Sequence, residues 1–65
     1  MAKTVLRRKQ VESRTGLCRS SIYYKIARGE FPAPIPLGPR AVGWLESAID
    51  SWIEERVAEG RRNRL

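Results

Sequence analysis

Apolar positions along this chain fall into two short helical groups, one proline-broken stretch and one long helical stripe. Thr4 to Leu6 favours a short extended segment. Arg8 to Thr15 reads as a helix whose inward residue is Val11, and it ends at Gly16, because glycine takes the left-handed conformation of a helix C-terminus without a Cβ clash. Leu17 then folds back onto the core. A second helix is expected from Arg19 to Arg28, with Ile22 and Ile26 one turn apart on the buried side, Tyr23 beside them, and Gly29 as its stop. The helical wheel puts Ser20, Ser21, Tyr24, Lys25 and Arg28 on the opposite side, a face of hydroxyls and cations free of carboxylates.

Residues 31–39 read Phe-Pro-Ala-Pro-Ile-Pro-Leu-Gly-Pro, and prolines at 32, 34 and 36 exclude a helix there. The segment is extended, and Gly38-Pro39-Arg40 makes a turn between Ile35-Pro36-Leu37 and Ala41-Val42-Gly43. The outcome is a small hairpin over 35–43 with a cationic tip, its proline-bearing strand at an edge, where a missing N–H breaks no ladder. A last amphipathic helix is expected from Leu45 to Glu59, with Leu45, Ala48, Ile49, Trp52, Ile53 and Val57 inward and Trp44 at its entrance. Gly60 is read as its end and 61–65 as a mobile basic tail. The fold class is therefore mainly α, with three helices and a small β-hairpin, in one domain over 1–60.

With 65 residues, the chain hides only about 60% of its unfolded surface, so its core is thin and leaves no room for a large enclosed cavity. The net charge of +6 is unevenly spread: residues 1–40 carry nine Lys/Arg and two Asp/Glu, residues 41–65 four and five. A basic surface confined to the first two thirds attracts polyanions, because each neutralised phosphate releases condensed counterions. On charge alone a merely soluble basic protein is the alternative. The single cysteine forms no internal disulfide, no charged-then-apolar leader is visible, and no apolar run approaches the roughly 20 residues that cross a bilayer, so a cytoplasmic protein is expected.

Catalytic chemistry is poorly supplied. Without histidine and with one cysteine, the usual four-ligand zinc sites and any cysteine-histidine dyad are excluded, so no metal, cofactor, small-molecule ligand or enzymatic activity is expected. Glu46, Asp50 and Glu54 form an i, i+4, i+8 row on the last helix, read as a solvated face turned away from any polyanion. Cys18 stands at a helix N-cap, where a thiol substitutes poorly for an oxygen acceptor. A redox-sensitive role is weighed there against a small buried filler, and the filler is preferred. Trp44 and Trp52 follow the apolar pattern and are assigned to the core rather than to base stacking.

Helix, glycine turn, helix, proline-rich hairpin and capping helix, in this order, resemble the AlpA family of phage and prophage regulators, itself similar to the DNA-binding part of MerR-type proteins and to small excisionases. The likeness is carried by Leu6-Arg7, Arg14-Thr15-Gly16-Leu17, Arg19-Ser20-Ser21-Ile22-Tyr23, Gly29 with Phe31-Pro32, Leu37-Gly38, Arg40-Ala41-Val42-Gly43-Trp44-Leu45 and Trp52. It implies a winged helix-turn-helix in which the second helix enters the major groove of double-stranded DNA and the hairpin acts as a wing on the backbone. Arg19, Ser20, Ser21 and Tyr23 match the recognition helix, and Gly38 and Arg40 match the wing. With Tyr24, Lys25 and Arg28 on the outer helix face, these are the candidate DNA-binding residues. Two departures stand out: Cys18 replaces the usual serine, and Tyr24 stands where a basic residue is frequent.

The resemblance further implies a bacterial or phage-encoded, nucleoid-associated regulator of prophage or mobile-element genes. An excisionase-like factor that bends DNA beside an integrase is the alternative within the same fold, with integrase and RNA polymerase as further candidate partners. A small protein-binding inhibitor that docks through the last helix is the reading from a different class, and the charge split disfavours it.

Overall fold

The structure is a computed structural model that describes residues 3–63. Its elements follow in the order β1 (Val5–Leu6), α1 (Arg8–Thr15), α2 (Arg19–Ala27), β2 (Ile35–Gly38), β3 (Ala41–Leu45) and α3 (Glu46–Asn63). The fold is three helices with a small antiparallel sheet. Among the described residues no helix is long and apolar enough to cross a membrane.

Each helix end has a local cause. At the end of α1, Gly16 sits at φ 75° and its N–H reaches the Glu12 carbonyl at 2.8 Å. The Thr15 hydroxyl donates to the Val11 carbonyl at 2.8 Å and accepts from the Leu17 N–H at 3.3 Å, tying the turn to the helix it leaves. Helix α2 stops one residue earlier than expected, with Arg28 as its cap. The N–H of Glu30 then returns to the Lys25 carbonyl at 2.8 Å and that of Gly29 to Ile26 at 3.0 Å, the paired bonds of a Schellman ending.

The extended segment at the N-terminus is a strand in its own right. β1 pairs antiparallel with β3, Val5 opposite Leu45 and Leu6 opposite Trp44, which gives the strand order β1-β3-β2. The expected hairpin is therefore two strands of a three-stranded sheet, with β2 and its Pro36 on the edge and β3 in the centre. Leu37 is the extra residue between the pairs Pro36–Val42 and Gly38–Ala41, a bulge next to the turn. Strand β3 runs on through Trp44 and Leu45, so these two residues belong to the sheet and not to the start of the last helix. The Glu46 N–H donates to the Thr4 carbonyl at 2.8 Å, which fastens the start of α3 to the head of β1.

Leu6, Val11, Ile22, Phe31, Trp44 and Ile49 form the core, with Leu17, Ile26, Trp52 and Ile53 packed around it. Every element except edge strand β2 gives a side chain to this cluster. The apolar stripe of α3 is shorter in space than in sequence, because the core ends at Ile53 and Val57 is 48% exposed. Gly60 does not end the helix, which continues to Asn63. Residues 54–61 are all exposed, so no packing among the described residues forces the chain to turn at the glycine. Arg64 and Leu65, the rest of the expected tail, lie outside the described residues.

Gly43 is the tightest backbone position. A Cβ there would stand 2.5 Å from Val5 Cγ1, 2.9 Å from Leu37 Cδ1 and 3.0 Å from the Leu6 carbonyl oxygen, since the central strand is flanked on both sides. Gly43→Ala is expected to destabilise the fold by about 1–3 kcal/mol through overpacking. In a domain of this size that lowers the melting temperature by at least about 5 °C. Gly38→Ala, where a Cβ meets nothing within 4 Å, should leave it nearly unchanged. Circular-dichroism melts of the two variants compare them directly, and equal melting temperatures would contradict the packing of β3.

Candidate nucleic-acid interface

The outer face of α2 is polar because its inner face is fully used. Ile22 is buried without residual exposure and Ile26 is packed against the core, so side chains about half a turn away project outward. Ser20 and Tyr24 are exposed, Tyr24 by 62%, whereas Ser21 and Lys25 are half-buried along one flank. Arg19 and Tyr23 form the other flank. The Arg19 guanidinium lies over the Tyr23 ring at 5.9 Å, and that ring meets Trp44 edge-on at 6.4 Å. Tyr23 is thus held by the core on one side and left 38% exposed on the other.

Arg28 is tethered rather than free. Its Nε donates to Glu30 at 3.2 Å and its Nη1 to the Tyr24 hydroxyl at 3.2 Å, with the guanidinium over the Tyr24 ring at 5.4 Å. Tyr24 and Arg28 therefore act as one unit at the C-terminal end of α2. Gly38 and Arg40 stand exposed at the end of β2 and in the β2–β3 turn, and only Tyr23 of the named helix residues shares a surface with Arg40.

That shared surface is a cleft of about 430 Å³ lined by Arg7, Arg8, Lys9, Tyr23, Arg40 and Val42. The sequence reading did not assign the Arg7-Arg8-Lys9 run to the site. Three consecutive cations at the start of a helix are a visible signal, but only the sheet shows that they face the hairpin turn: β1 runs beside β3 and delivers the start of α1 to that end of the molecule. Gln10 Oε1 accepts the Arg7 N–H at 2.8 Å and fixes the entry to α1.

Carboxylates are kept off this face by pairing. Glu12 takes Arg8 at 3.1 Å and Glu30 takes Arg28 at 3.2 Å, so both acidic residues of the first forty are already engaged. The Glu46-Asp50-Glu54 row is not wholly solvated as expected. Arg14 of α1 reaches Glu46 at 2.8 Å and Asp50 at 3.9 Å, making the row a clamp between α1 and α3. Arg7, Lys9, Arg19, Lys25 and Arg40 form no ion pair among the described residues.

Cys18 corrects the preference for a buried filler: it is exposed at the N-cap of α2. As the N-cap, Cys18 has an extended backbone, and its side chain turns back toward the first turn of α2 instead of into the core. Its sulfur lies 3.3 Å from the hydroxyls of both Ser20 and Ser21. These hydroxyls, Ser20 first, lower the thiol pKa from an ordinary 9.0 to about 7, with the adjoining backbone N–H groups adding to the effect.

A family model, prophage CP4-57 regulatory protein (AlpA), matches residues 4–57. The chain is 42% identical over 57 residues to the uncharacterized protein ORF88 of enterobacteria phage P4, a match taking in 88% of this chain and 65% of that one. It thus spans less than two thirds of that relative. It is also 38% identical over 61 residues to the DNA-binding transcriptional activator AlpA of Escherichia coli (strain K12), covering 85% of this chain and 87% of the relative.

Cys18 should alkylate as a partly ionised thiol. The thiolate is the reactive form, so the iodoacetamide rate should rise through a midpoint near pH 7, set by the lowered pKa, rather than near 9.0. Removing the leading cause in Ser20→Ala should move the midpoint upward. A wild-type midpoint at the ordinary thiol value would show that the serine hydroxyls do not stabilise the thiolate.

Proposed function

The chain belongs to the prophage regulatory (AlpA) family, and on that premise we propose that it is a sequence-specific double-stranded-DNA-binding regulator of prophage or mobile-element genes, acting in the cytoplasm. In this reading the fold is a winged helix-turn-helix. Helix α2 enters the major groove, and the β2–β3 hairpin lies against the sugar-phosphate backbone as the wing. The observation that carries the proposal is the sorting of charge. Five cations, Arg7, Lys9, Arg19, Lys25 and Arg40, stand on α2 and on the elements beside it without an ion pair among the described residues, while Glu12 and Glu30 of that region are internally paired. The related activator, whose name describes DNA binding, supports the same partner for this chain.

The division of labour follows from reach. A helix fits the major groove, where each base pair shows its own pattern of donors, acceptors and methyl groups. On α2 the outward Ser20 and Tyr24, with Lys25 and Ser21 on one flank and Arg19 and Tyr23 on the other, are the side chains so placed. Arg28 enters as the partner that steadies Tyr24. A turn cation such as Arg40 meets phosphate or the information-poor minor groove, with Gly38 giving the tip a side-chain-free approach.

Affinity for duplex DNA should fall steeply with salt, the slope of log K against log salt growing by about 0.9 for each phosphate contacted. Titration of a random-sequence duplex across a salt series measures this, and a salt-independent interaction would remove the proposal.

Reader and clamp should also fail differently. Tyr24→Ala or Lys25→Ala should cost roughly 1–3 kcal/mol on a selected site, if that side chain contacts a base, and far less on scrambled DNA. Arg40→Ala should weaken both alike. The opposite pattern at fixed salt would reverse the assignment of α2 and the hairpin.

A further inference from the structure

Arg7, Arg8 and Lys9 approach the cleft from the start of α1, and Arg40 approaches it from the hairpin turn, with Tyr23 and Val42 completing the walls around about 430 Å³. Arg8 is drawn aside to Glu12 at 3.1 Å. Arg7, Lys9 and Arg40 have no acidic partner among the described residues, and all three are exposed. Gathering three like charges around one hollow raises their mutual repulsion, and no carboxylate among the described residues lines the cleft. The first turn of α1 carries no acidic residue either, so the positive end of the helix adds to the same field. The hollow is wider than a bare ion needs, and its Tyr23 and Val42 walls suit the sugar carbons on either side of a phosphate.

We propose that this cleft seats a single phosphodiester of the bound DNA backbone, gripped from one side by Arg7 and Lys9 and from the other by Arg40. The inference rests on the DNA-binding reading above and adds to it a site on α1. Hairpin and α1 then close on one phosphate rather than on separate ones. Because Tyr23 lines the cleft and also belongs to α2, the seated phosphate fixes the depth and register at which α2 meets the base edges.

Counterion release counts neutralised phosphates rather than cations, and this separates the alternatives. The measurement is the salt slope for a random-sequence duplex, with wild type compared to the triple variant Arg7→Gln/Lys9→Gln/Arg40→Gln. A single shared phosphate predicts that the triple variant loses about 0.9 from the slope. A loss near 2.7 would mean three separate phosphates and would overturn the shared seat. No change would also overturn it, by leaving the cleft outside the interface, and a cleft that serves a free anion falls in that class: inorganic phosphate would then shift the amide resonances of Arg7, Lys9 and Arg40 without DNA.

If the triple variant melts early, Lys9→Gln/Arg40→Gln decides the same question, with a slope loss below about 0.9 for a shared seat and about 1.8 for two. Arg56→Gln, whose guanidinium pairs with Glu59 at 2.9 Å and which does not line the cleft, shows the effect of removing one cation away from the cleft and should keep the wild-type slope. A wild-type domain that binds no duplex even at low salt overturns both this inference and the DNA-binding reading, whereas normal wild-type binding with an unchanged triple variant overturns this one alone.

Discussion

Trp44 ties together β1, α2, β3 and the proline-rich stretch. It is fully buried on the central strand, faces Leu6 of β1 in register, takes Tyr23 of α2 edge-on, and donates its indole N–H to the Pro32 carbonyl at 2.9 Å. An aromatic side chain of this size hides roughly 150–250 Å², about 4–6 kcal/mol of gross apolar transfer at ~25 cal/mol/Å², a large share of what so small a core can gather. The hydrogen bond matters as much as the area. A proline-rich stretch cannot enter a regular ladder, so its carbonyls need other donors. Trp52 supplies a second one, to the Glu30 carbonyl at 2.9 Å, while its ring packs on Phe31 at 4.9 Å. Two indoles thus fasten the middle of the irregular stretch between α2 and the hairpin, at Glu30 and Pro32.

That fastening bears on function because the hairpin is an appendage. β2 contributes nothing to the core cluster, and its position relative to α2 is inherited from β3 and from the anchored prolines. A hairpin that wandered by a few ångströms would separate Arg40 from Arg7 and Lys9. The small sheet therefore serves as a jig: β1 sets where α1 begins, β3 sets where the turn lies, and Tyr23 sits between them against Trp44.

Electrostatics follow the same geometry. Four carboxylates that would otherwise dilute the positive pattern are held by cations, Glu12 by Arg8, Glu30 by Arg28, and Glu46 with Asp50 by Arg14. As part-exposed pairs these add little to stability. Their larger effect is to leave α2 and the cleft, among the described residues, with unpaired charge of one sign, the kind of surface that attracts polyanions.

Periodicity and turn chemistry by themselves determined the helices, the two glycine stops and the hairpin, because these depend on interactions within a few residues: Val11 and Ile22 as inward positions, left-handed Gly16 and Gly29, and prolines spaced to forbid a helix. The outward face of α2 was legible for the same reason. Contacts between distant segments were not. That β1 is a strand pairing Leu6 with Trp44, that Arg14 reaches Glu46, and that the Arg7-Arg8-Lys9 run faces Arg40 all depend on where the sheet carries each segment, and no local period encodes that. The exposure of Cys18 and the passage of α3 through Gly60 belong with them. A residue's burial and a helix's last turn are decided by what packs against them, and no local period states that.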